Sequence, residues 1–90
     1  MKRYRVEIAR GAAKQLERLS ALSAKDFRRI DRLILSLEEK PRPSGCKKLQ
    51  GYEGNIYRLR HGFYRIIYQV DDSSDVVRIL QVMHRRDVYR

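Results

Sequence analysis

The amino-acid sequence predicts an α+β domain in which two helices pack on one face of a twisted sheet. A charged–apolar alternation opens the chain, two segments with helical spacing follow, and three strand-like runs with short linkers occupy the second half. Ninety residues correspond to a single domain, residues 1–90, that buries roughly 60–65% of the surface its unfolded chain would expose. The sequence therefore predicts a modest core and one functional unit.

The first predicted element is a strand over residues 2–9. Apolar and charged side chains alternate along it: Tyr4, Val6 and Ile8 against Arg3, Arg5 and Glu7. Because successive side chains of a strand point to opposite faces, this alternation is typical of a strand with one buried face and one exposed face.

Two amphipathic helices are predicted between this strand and Pro41. From Ala9 to Leu19, alanine and leucine recur at helical spacing and form one apolar stripe. Ser23 followed by Asp26 resembles a capping box and indicates the start of the second helix. Pro41 and a second proline two residues later are expected to stop that helix. Its apolar stripe consists of Phe27, Ile30, Leu33, Ile34 and Leu37.

The second half of the chain predicts a loop and then a three-stranded meander. Residues 41–54, PRPSGCKKLQGYEG, contain three glycines and two prolines and predict a loop with little regular structure. Three predicted strands follow, at about 55–60, 63–70 and 75–83. The linkers His61-Gly62 and 71–74 are short enough only for antiparallel hairpins. The helices are then expected to pack on one face of the resulting sheet.

The composition is strongly basic, with 21 Lys and Arg against 11 Asp and Glu and a formal net charge of +10. On so small a domain this charge indicates a polyanionic partner, although a basic surface kept for solubility is the alternative. A membrane is not expected, because no apolar run approaches the ~20 residues of a spanning helix and the N-terminus has no apolar signal segment. Cys46 is the only cysteine, so neither an internal disulfide nor a cysteine-built metal site is predicted, and a reducing cytoplasm is the expected compartment.

Positive charge is concentrated in NIYRLRHGFYRIIYQV, residues 55–70. If the two residues before Phe63 form the turn, Arg58 faces Arg65 across the hairpin and Arg60 faces Phe63. One face then carries apolar residues suited to packing on the helices, and the other face carries the three arginines. Like charges opposite each other destabilise a strand pair. Because Arg65 lies in an inner strand, an anion-binding face is favoured over charges that protect a sheet edge or pair with acidic residues.

The C-terminal stretch MHRRDVYR adds an imidazole, guanidinium groups and a phenol just past the third meander strand. Antiparallel pairing is expected to bring His84 towards Phe63 and the arginines. Arginine binds phosphate bidentately and tyrosine stacks on bases, so this combination favours an RNA phosphate and base site. The further predicted RNA contacts are Lys47, Lys48, Phe63 and Arg86.

The same two stretches carry a family signature. IYRLRHGFYRIIYQV and HRRDVYR match the pattern LYRLRxGxYRIIYxV followed by HRxxVY, and on these motifs the chain resembles toxins of the RelE/ParE superfamily of bacterial toxin–antitoxin systems. The resemblance covers nearly all of the chain and implies the RelE-like fold. It also implies a ribosome-dependent endoribonuclease that cuts mRNA in the ribosomal A site by attack of a ribose 2′-OH on the adjacent phosphate, with no metal and no other cofactor.

The resemblance assigns roles to individual residues. Arg65 corresponds to the family arginine that stabilises the scissile phosphate, and Arg85 to the one near the leaving group. Tyr89 corresponds to the C-terminal tyrosine that stacks on the substrate or orients its 2′-OH. Arg58 and Arg60 stand where the best-known members carry lysines, one of them a candidate general base.

This exchange is the main departure from the family pattern. Arginine keeps its proton at any ordinary pH and cannot serve as a conventional base. Either electrostatic stabilisation dominates, or another group accepts the proton, for which His84 is the candidate.

Three functions therefore stay open at this point, with the mRNA interferase the first choice. The second is a non-enzymatic inhibitor of DNA gyrase, as in the ParE branch, and the third is an inactive relative that only binds an antitoxin. The implied partners are an acidic antitoxin protein and the ribosome with its mRNA, contacted at 16S rRNA through the basic surface.

Overall fold

The computed structural model describes residues 2–51 and 53–84. Along these residues the chain forms β1 (Arg5–Ile8), α1 (Arg10–Leu22), α2 (Ala24–Ser36), β2 (Lys47–Lys48), β3 (Ile56–His61), β4 (Tyr64–Asp71) and β5 (Val76–His84). The strands lie in one sheet in the order β1-β5-β4-β3-β2, with β1 parallel to β5 and the other neighbours antiparallel. The predicted α+β class and the meander are confirmed. The sheet is mixed because the N-terminal strand pairs with the last one.

The two helices lie where the apolar spacing predicts them. The Ser23 hydroxyl accepts a hydrogen bond from the backbone N–H of Asp26 at 3.2 Å, so the predicted N-cap of α2 is confirmed. α2 ends at Ser36, before Pro41, and the buried Leu37 caps it. The prolines are therefore not what ends this helix. Both helices have 13 residues, and within the described residues no helix has the length and apolarity needed to cross a membrane.

The core lies between the helices and one face of the sheet. Tyr68, in the central strand β4, is fully buried, and its hydroxyl donates to the backbone carbonyl of Pro41 at 2.8 Å. Burial raises the pKa of this phenol, so it stays protonated and remains a donor. Tyr57 on β3 stacks on it with ring centroids 5.8 Å apart. The other fully buried side chains are Ile30, Ile34, Leu37, Ile66, Ile79, Val70 and Val77.

One strand lies in a segment that the sequence predicts to be a loop. Lys47 pairs with Arg58 and Lys48 pairs with Tyr57, so β2 extends the sheet beyond β3. The prediction of a loop with little regular structure over residues 41–54 is wrong at this point. A two-residue strand is too short to show an alternation, and only the neighbouring strand supplies its hydrogen-bond partners.

The β3–β4 hairpin turns at Gly62-Phe63, one residue later than predicted. Gly62 has a φ of +61°, in the left-handed region that glycine adopts without a Cβ clash. A glycine in the first of two turn positions is typical of the turns that suit strand twist. His61 consequently closes the hairpin opposite Tyr64 instead of lying in the turn.

A polar network ties the α2–β2 loop to the β4–β5 turn. Arg42 donates to the two carboxylate oxygens of Asp72 at 2.6 and 3.3 Å, and to the Tyr57 hydroxyl at 2.8 Å. The Tyr4 hydroxyl donates to the same carboxylate. These hydrogen bonds, Arg42 first and Tyr4 second, lower the pKa of Asp72 to about 2. Groups far apart in sequence thus hold the loop against the sheet.

We expect this network to make stability depend on acid pH. A carboxyl whose pKa is lowered by folding stabilises the protein above its unfolded pKa of about 3.9, and that contribution is lost as the pH falls through the folded value. Arg42→Gln should lower the melting temperature near neutral pH and flatten its fall between about pH 5 and pH 2. Thermal melts followed by circular dichroism across this range measure both effects.

Arg3→Gln is the matched control for this prediction. It removes the same charge from an exposed ion pair with Glu38 at 3.4 Å, and it leaves Asp72 untouched. This variant should keep the wild-type dependence on pH. Equal flattening in the two variants would contradict the role given to Arg42.

Candidate nucleic-acid interface

The face of the sheet turned away from the helices carries the predicted arginines. Leu59 and Ile66 are buried on the helix-facing side of the hairpin. Because side chains alternate along a strand, their neighbours Arg58, Arg60 and Arg65 lie on the opposite, open face. The sequence pattern predicts this division of the hairpin, and the structure confirms it.

Strand register brings four cations together on the open face. Arg60 is directly opposite Arg65, and Lys47 is directly opposite Arg58 on the other side of β3. Directly opposite residues of an antiparallel pair have Cβ atoms about 4.5–5.5 Å apart. We call Lys47, Arg58, Arg60 and Arg65 the cationic cluster. Its members come from three neighbouring strands, so the sheet itself fixes their spacing.

The predicted partners within the hairpin are wrong, although each arginine keeps its predicted face. The sequence predicts Arg58 opposite Arg65 and Arg60 opposite Phe63, whereas the structure pairs Arg60 with Arg65 and Arg58 with Ile67. Moving the turn by one residue shifts the partner of every hairpin residue by two positions. Because the side-chain period of a strand is two, such a shift leaves the faces unchanged.

Ion pairs within the described residues do not neutralise the cationic cluster. The cations that form them are Lys2, Arg3, Arg5, Arg42 and Arg78. Asp75, the acidic residue directly before β5, pairs with Lys2 at 3.1 Å and not with the cluster. Along the part of the chain that the structure describes, the cluster is therefore a patch of uncompensated positive charge.

Repulsion acts inside this cluster. The pKa of Arg58 is lowered, first because its side chain is partly buried and then because Arg60 and Arg65 lie close to it. A guanidinium group nevertheless stays charged at physiological pH. The lowered pKa therefore marks an unfavourable electrostatic energy that a bound anion would offset. A phosphate lying across β3 and β4 would meet donors already fixed in place.

His84 lies at the hairpin tip but not on the face of the cationic cluster. Register pairs Tyr64 with His84 and Arg65 with Met83. The Tyr64 hydroxyl donates to a carboxylate oxygen of Asp26 on α2 at 2.9 Å, which fixes the Tyr64–His84 row on the helix-facing side. His84 therefore lies near Phe63, as expected, but on the face opposite to the arginines.

The other predicted RNA contacts fall in different places. Lys48 pairs with the buried Tyr57 and so belongs to the helix-facing side, away from the cationic cluster. Phe63 lies at the hairpin tip with 62% of its surface exposed. Three predicted site residues lie outside the described residues: Arg85, Arg86 and Tyr89.

Two features of the site are not evident from the sequence pattern. The pairing of Lys47 with Arg58 depends on β2, whose two residues give no periodic signal. His61, expected in the turn, extends β3 and places an exposed imidazole opposite Tyr64. Within residues 2–51 and 53–84, no group of His, Cys, Asp or Glu is arranged to hold a metal ion.

Comparison with known proteins places this chain among toxins. A family model described as the ParE toxin of the type II toxin–antitoxin system parDE matches residues 6–89. Toxin RelG of Mycobacterium tuberculosis (strain ATCC 25618 / H37Rv) is 41% identical over 44 residues, which make up 49% of this chain and 51% of that protein. The matched segment thus spans about half the length of this curated relative.

Solved structures match over nearly the whole chain. The archaeal RelE–RelB complex from Pyrococcus horikoshii OT3 contains a chain 34% identical to this one, with a TM-score of 0.78 over 94% of this chain and 97% of that chain. The toxin–antitoxin complex RelBE2 from Mycobacterium tuberculosis matches at 26% identity and a TM-score of 0.78, covering 92% of this chain and 99% of that chain. The isolated E. coli RelE toxin matches at 26% identity and a TM-score of 0.75, covering 96% and 90%.

Proposed function

Because this chain belongs to the RelE/ParE superfamily of type II toxin–antitoxin toxins, we propose that it is an mRNA interferase, an endoribonuclease that cuts mRNA on the ribosome and inhibits translation in the cytoplasm. The observation that carries the proposal is the pair Arg60 and Arg65, directly opposite each other on the open face and without an ion-pair partner among the described residues. A gyrase inhibitor that acts without chemistry has no need of this arrangement.

The proposed reaction is attack of a ribose 2′-OH on the adjacent phosphate. The 2′-oxygen forms a new bond to phosphorus, the bond to the 5′-oxygen breaks, and the 2′-OH proton is taken up while the leaving oxygen gains one. Negative charge accumulates on the phosphate oxygens in the transition state. Preorganised donors aimed at such oxygens are a large source of catalysis. Arg58, Arg60 and Arg65 would supply them, with Lys47 holding a neighbouring phosphate.

The three arginines of the cationic cluster cannot be the proton acceptor, since arginine does not give up its proton. His84 is the proposed acceptor, because histidine is the side chain that enzymes use most often as a general base. It lies on the helix-facing side, so it would reach a nucleotide only around the hairpin tip. The proposal therefore rests on charge stabilisation by the arginines and on positioning of the mRNA by the ribosome. The resemblance adds Arg85 near the leaving group and Tyr89 against the substrate.

An antitoxin protein is the proposed partner that restrains this activity. Two of the similar solved structures are described as toxin–antitoxin or RelE–RelB complexes. The net charge of +10 favours an acidic partner. An extended acidic segment lying over the cationic cluster would block RNA and relieve the repulsion among its members.

Inhibition of DNA gyrase is the second candidate function. The observation that favours it is the match of residues 6–89 to a family model named for the ParE toxin. The two functions differ in target and in chemistry, so one pair of assays separates them.

We expect the purified protein to cut mRNA in programmed ribosomes and to cut naked RNA poorly. The three arginines of the cluster are donors for a transition state and cannot accept a proton, so we expect the ribosome to complete the site. Toeprinting on programmed ribosomes, with and without the protein, measures the first reaction, and the same mRNA without ribosomes measures the second. A DNA supercoiling assay with gyrase serves as the parallel measurement. Inhibited supercoiling without any ribosomal cleavage would replace the first proposal by the second.

A further inference from the structure

Phe63 is a large apolar residue that is exposed to solvent at the tip of the β3–β4 hairpin. It is 62% exposed and follows Gly62 in the two-residue turn. Tight turns favour Gly, Asn, Asp, Ser and Pro, each for a backbone reason. None of these reasons applies to phenylalanine, and the left-handed conformation of the turn is already supplied by Gly62. The fold therefore does not account for an aromatic ring at this position.

The Phe63 ring contacts other aromatic rings on the helix-facing side of the hairpin. Its ring centroid lies 6.1 Å from that of His84 with an interplanar angle of 33°. The His84 ring in turn meets Tyr64 edge-on, with centroids 5.1 Å apart and an angle of 86°. The Tyr64 hydroxyl is anchored to Asp26 of α2. A series of rings thus connects the hairpin tip to the helix layer, and we call Phe63 and His84 the tip platform.

Phe63 lies in the turn just beyond the cationic cluster along the strands, and His84 lies beside it on the helix-facing side. The His61–Tyr64 pair closes the turn, and the next pair inward is Arg60 and Arg65. At about 3.3 Å of rise per residue, the arginine pair is less than about 10 Å from the turn. A cationic track beside an exposed aromatic ring is an arrangement by which proteins bind single-stranded nucleic acid, with phosphates on the cations and a base stacked on the ring.

We propose that the tip platform stacks an unpaired base of single-stranded RNA whose phosphates lie on the cationic cluster, and that Phe63 is a positioning residue for the nucleotide on that side of the cut. This inference rests on the proposed function for the identity of its ligand. An apolar protein anchor fits less well, because a hot spot in a protein interface lies near its centre, within a ring of contacts that exclude water. The other exposed large apolar residues within the described chain lie elsewhere, on β1 and the helices: Ile8, Leu22 and Leu35.

The absence of tryptophan from the sequence allows a direct test. Phe63→Trp introduces a single tryptophan at the tip, and its fluorescence should be quenched by an RNA oligonucleotide with 2′-O-methyl riboses, which cannot be cut. An abasic oligonucleotide with the same backbone should bind through its phosphates and cause little quenching. Leu35→Trp is the matched control, because Leu35 is 52% exposed and lies near the end of α2 opposite to Asp26, the residue that anchors the hairpin tip.

A second variant measures the contribution of the ring to affinity. Stacking of a base on an aromatic side chain is worth about 1–3 kcal/mol by substitution, so Phe63→Leu should weaken binding of the intact oligonucleotide by roughly 5- to 150-fold. Phe63→Tyr should bind as the wild type does, and affinity for the abasic oligonucleotide should not change. Equal quenching of the two introduced tryptophans, or wild-type affinity in Phe63→Leu, would overturn the proposal.

These measurements contain neither a ribosome nor a cleavage step. If the protein fails to cut mRNA but shows selective quenching at the tip, the proposed enzyme activity is contradicted and the role of the tip platform in base stacking is supported. Cleavage on ribosomes without selective quenching would support the proposed enzyme and overturn the role given to the tip platform.

Discussion

Replacement of Arg65 by alanine is expected to reduce ribosome-dependent mRNA cleavage by about 10²–10³-fold, the loss typical when one preorganised donor to a transition-state oxyanion is removed. Arg65 lies in the central strand, half-buried and directly opposite Arg60. Its backbone is therefore held by strand pairing on both sides, which a residue in a loop does not have. The cleavage rate in single-turnover toeprinting measures the effect.

Two further variants make this test specific. Arg5→Ala removes the same charge from the far edge of the sheet, where Arg5 pairs with Glu7 at 2.9 Å, and it should leave cleavage close to the wild-type rate. Arg65→Lys keeps the charge and loses the planar, bidentate fork, so its rate should lie between those of the wild type and Arg65→Ala. If Arg65→Ala folds and cuts mRNA at the rate of Arg5→Ala, the cationic cluster is not the catalytic site.

Replacement of Ile66, the next residue along the chain, should instead lower the stability of the fold. Ile66 is fully buried between Leu59 on β3 and Val82 on β5. Ile66→Ala removes buried methyl and methylene groups and leaves a cavity, which costs about 2–5 kcal/mol in the free energy of unfolding. In a domain whose total stability is about 5–15 kcal/mol, this is a large part of the whole.

Arg65→Ala, in contrast, should change the free energy of unfolding by less than about 0.5 kcal/mol, because Arg65 lies on the open face of the sheet and outside the core. A small gain is expected, because the substitution removes the repulsion across the Arg60–Arg65 pair. Urea unfolding of both variants, followed by circular dichroism, gives the two values. A loss of more than about 2 kcal/mol in Arg65→Ala would show that the arginine has a structural role.

The contrast between these adjacent residues also shows how much of the site can be predicted from the sequence. The alternation of the hairpin assigns Ile66 to the core and Arg65 to the open face without any knowledge of the rest of the chain. The predicted turn was displaced by one residue, yet the faces were right, because the displacement changed each pairing by two positions. The face of His84 cannot be inferred in this way, because it depends on the separate register between β4 and β5.

Features that depend on local periodicity and local hydrogen bonds can be predicted from the residue order. These are the two helices, the Ser23 cap, the meander and the two faces of the hairpin, each specified within a few residues. The pairing of distant segments is visible only in the folded chain: β1 beside β5, Lys47 opposite Arg58, His84 in the row of Tyr64, and Arg42 on Asp72. Such contacts join segments whose own patterns are compatible with several partners, and the packing of the whole core selects one of them.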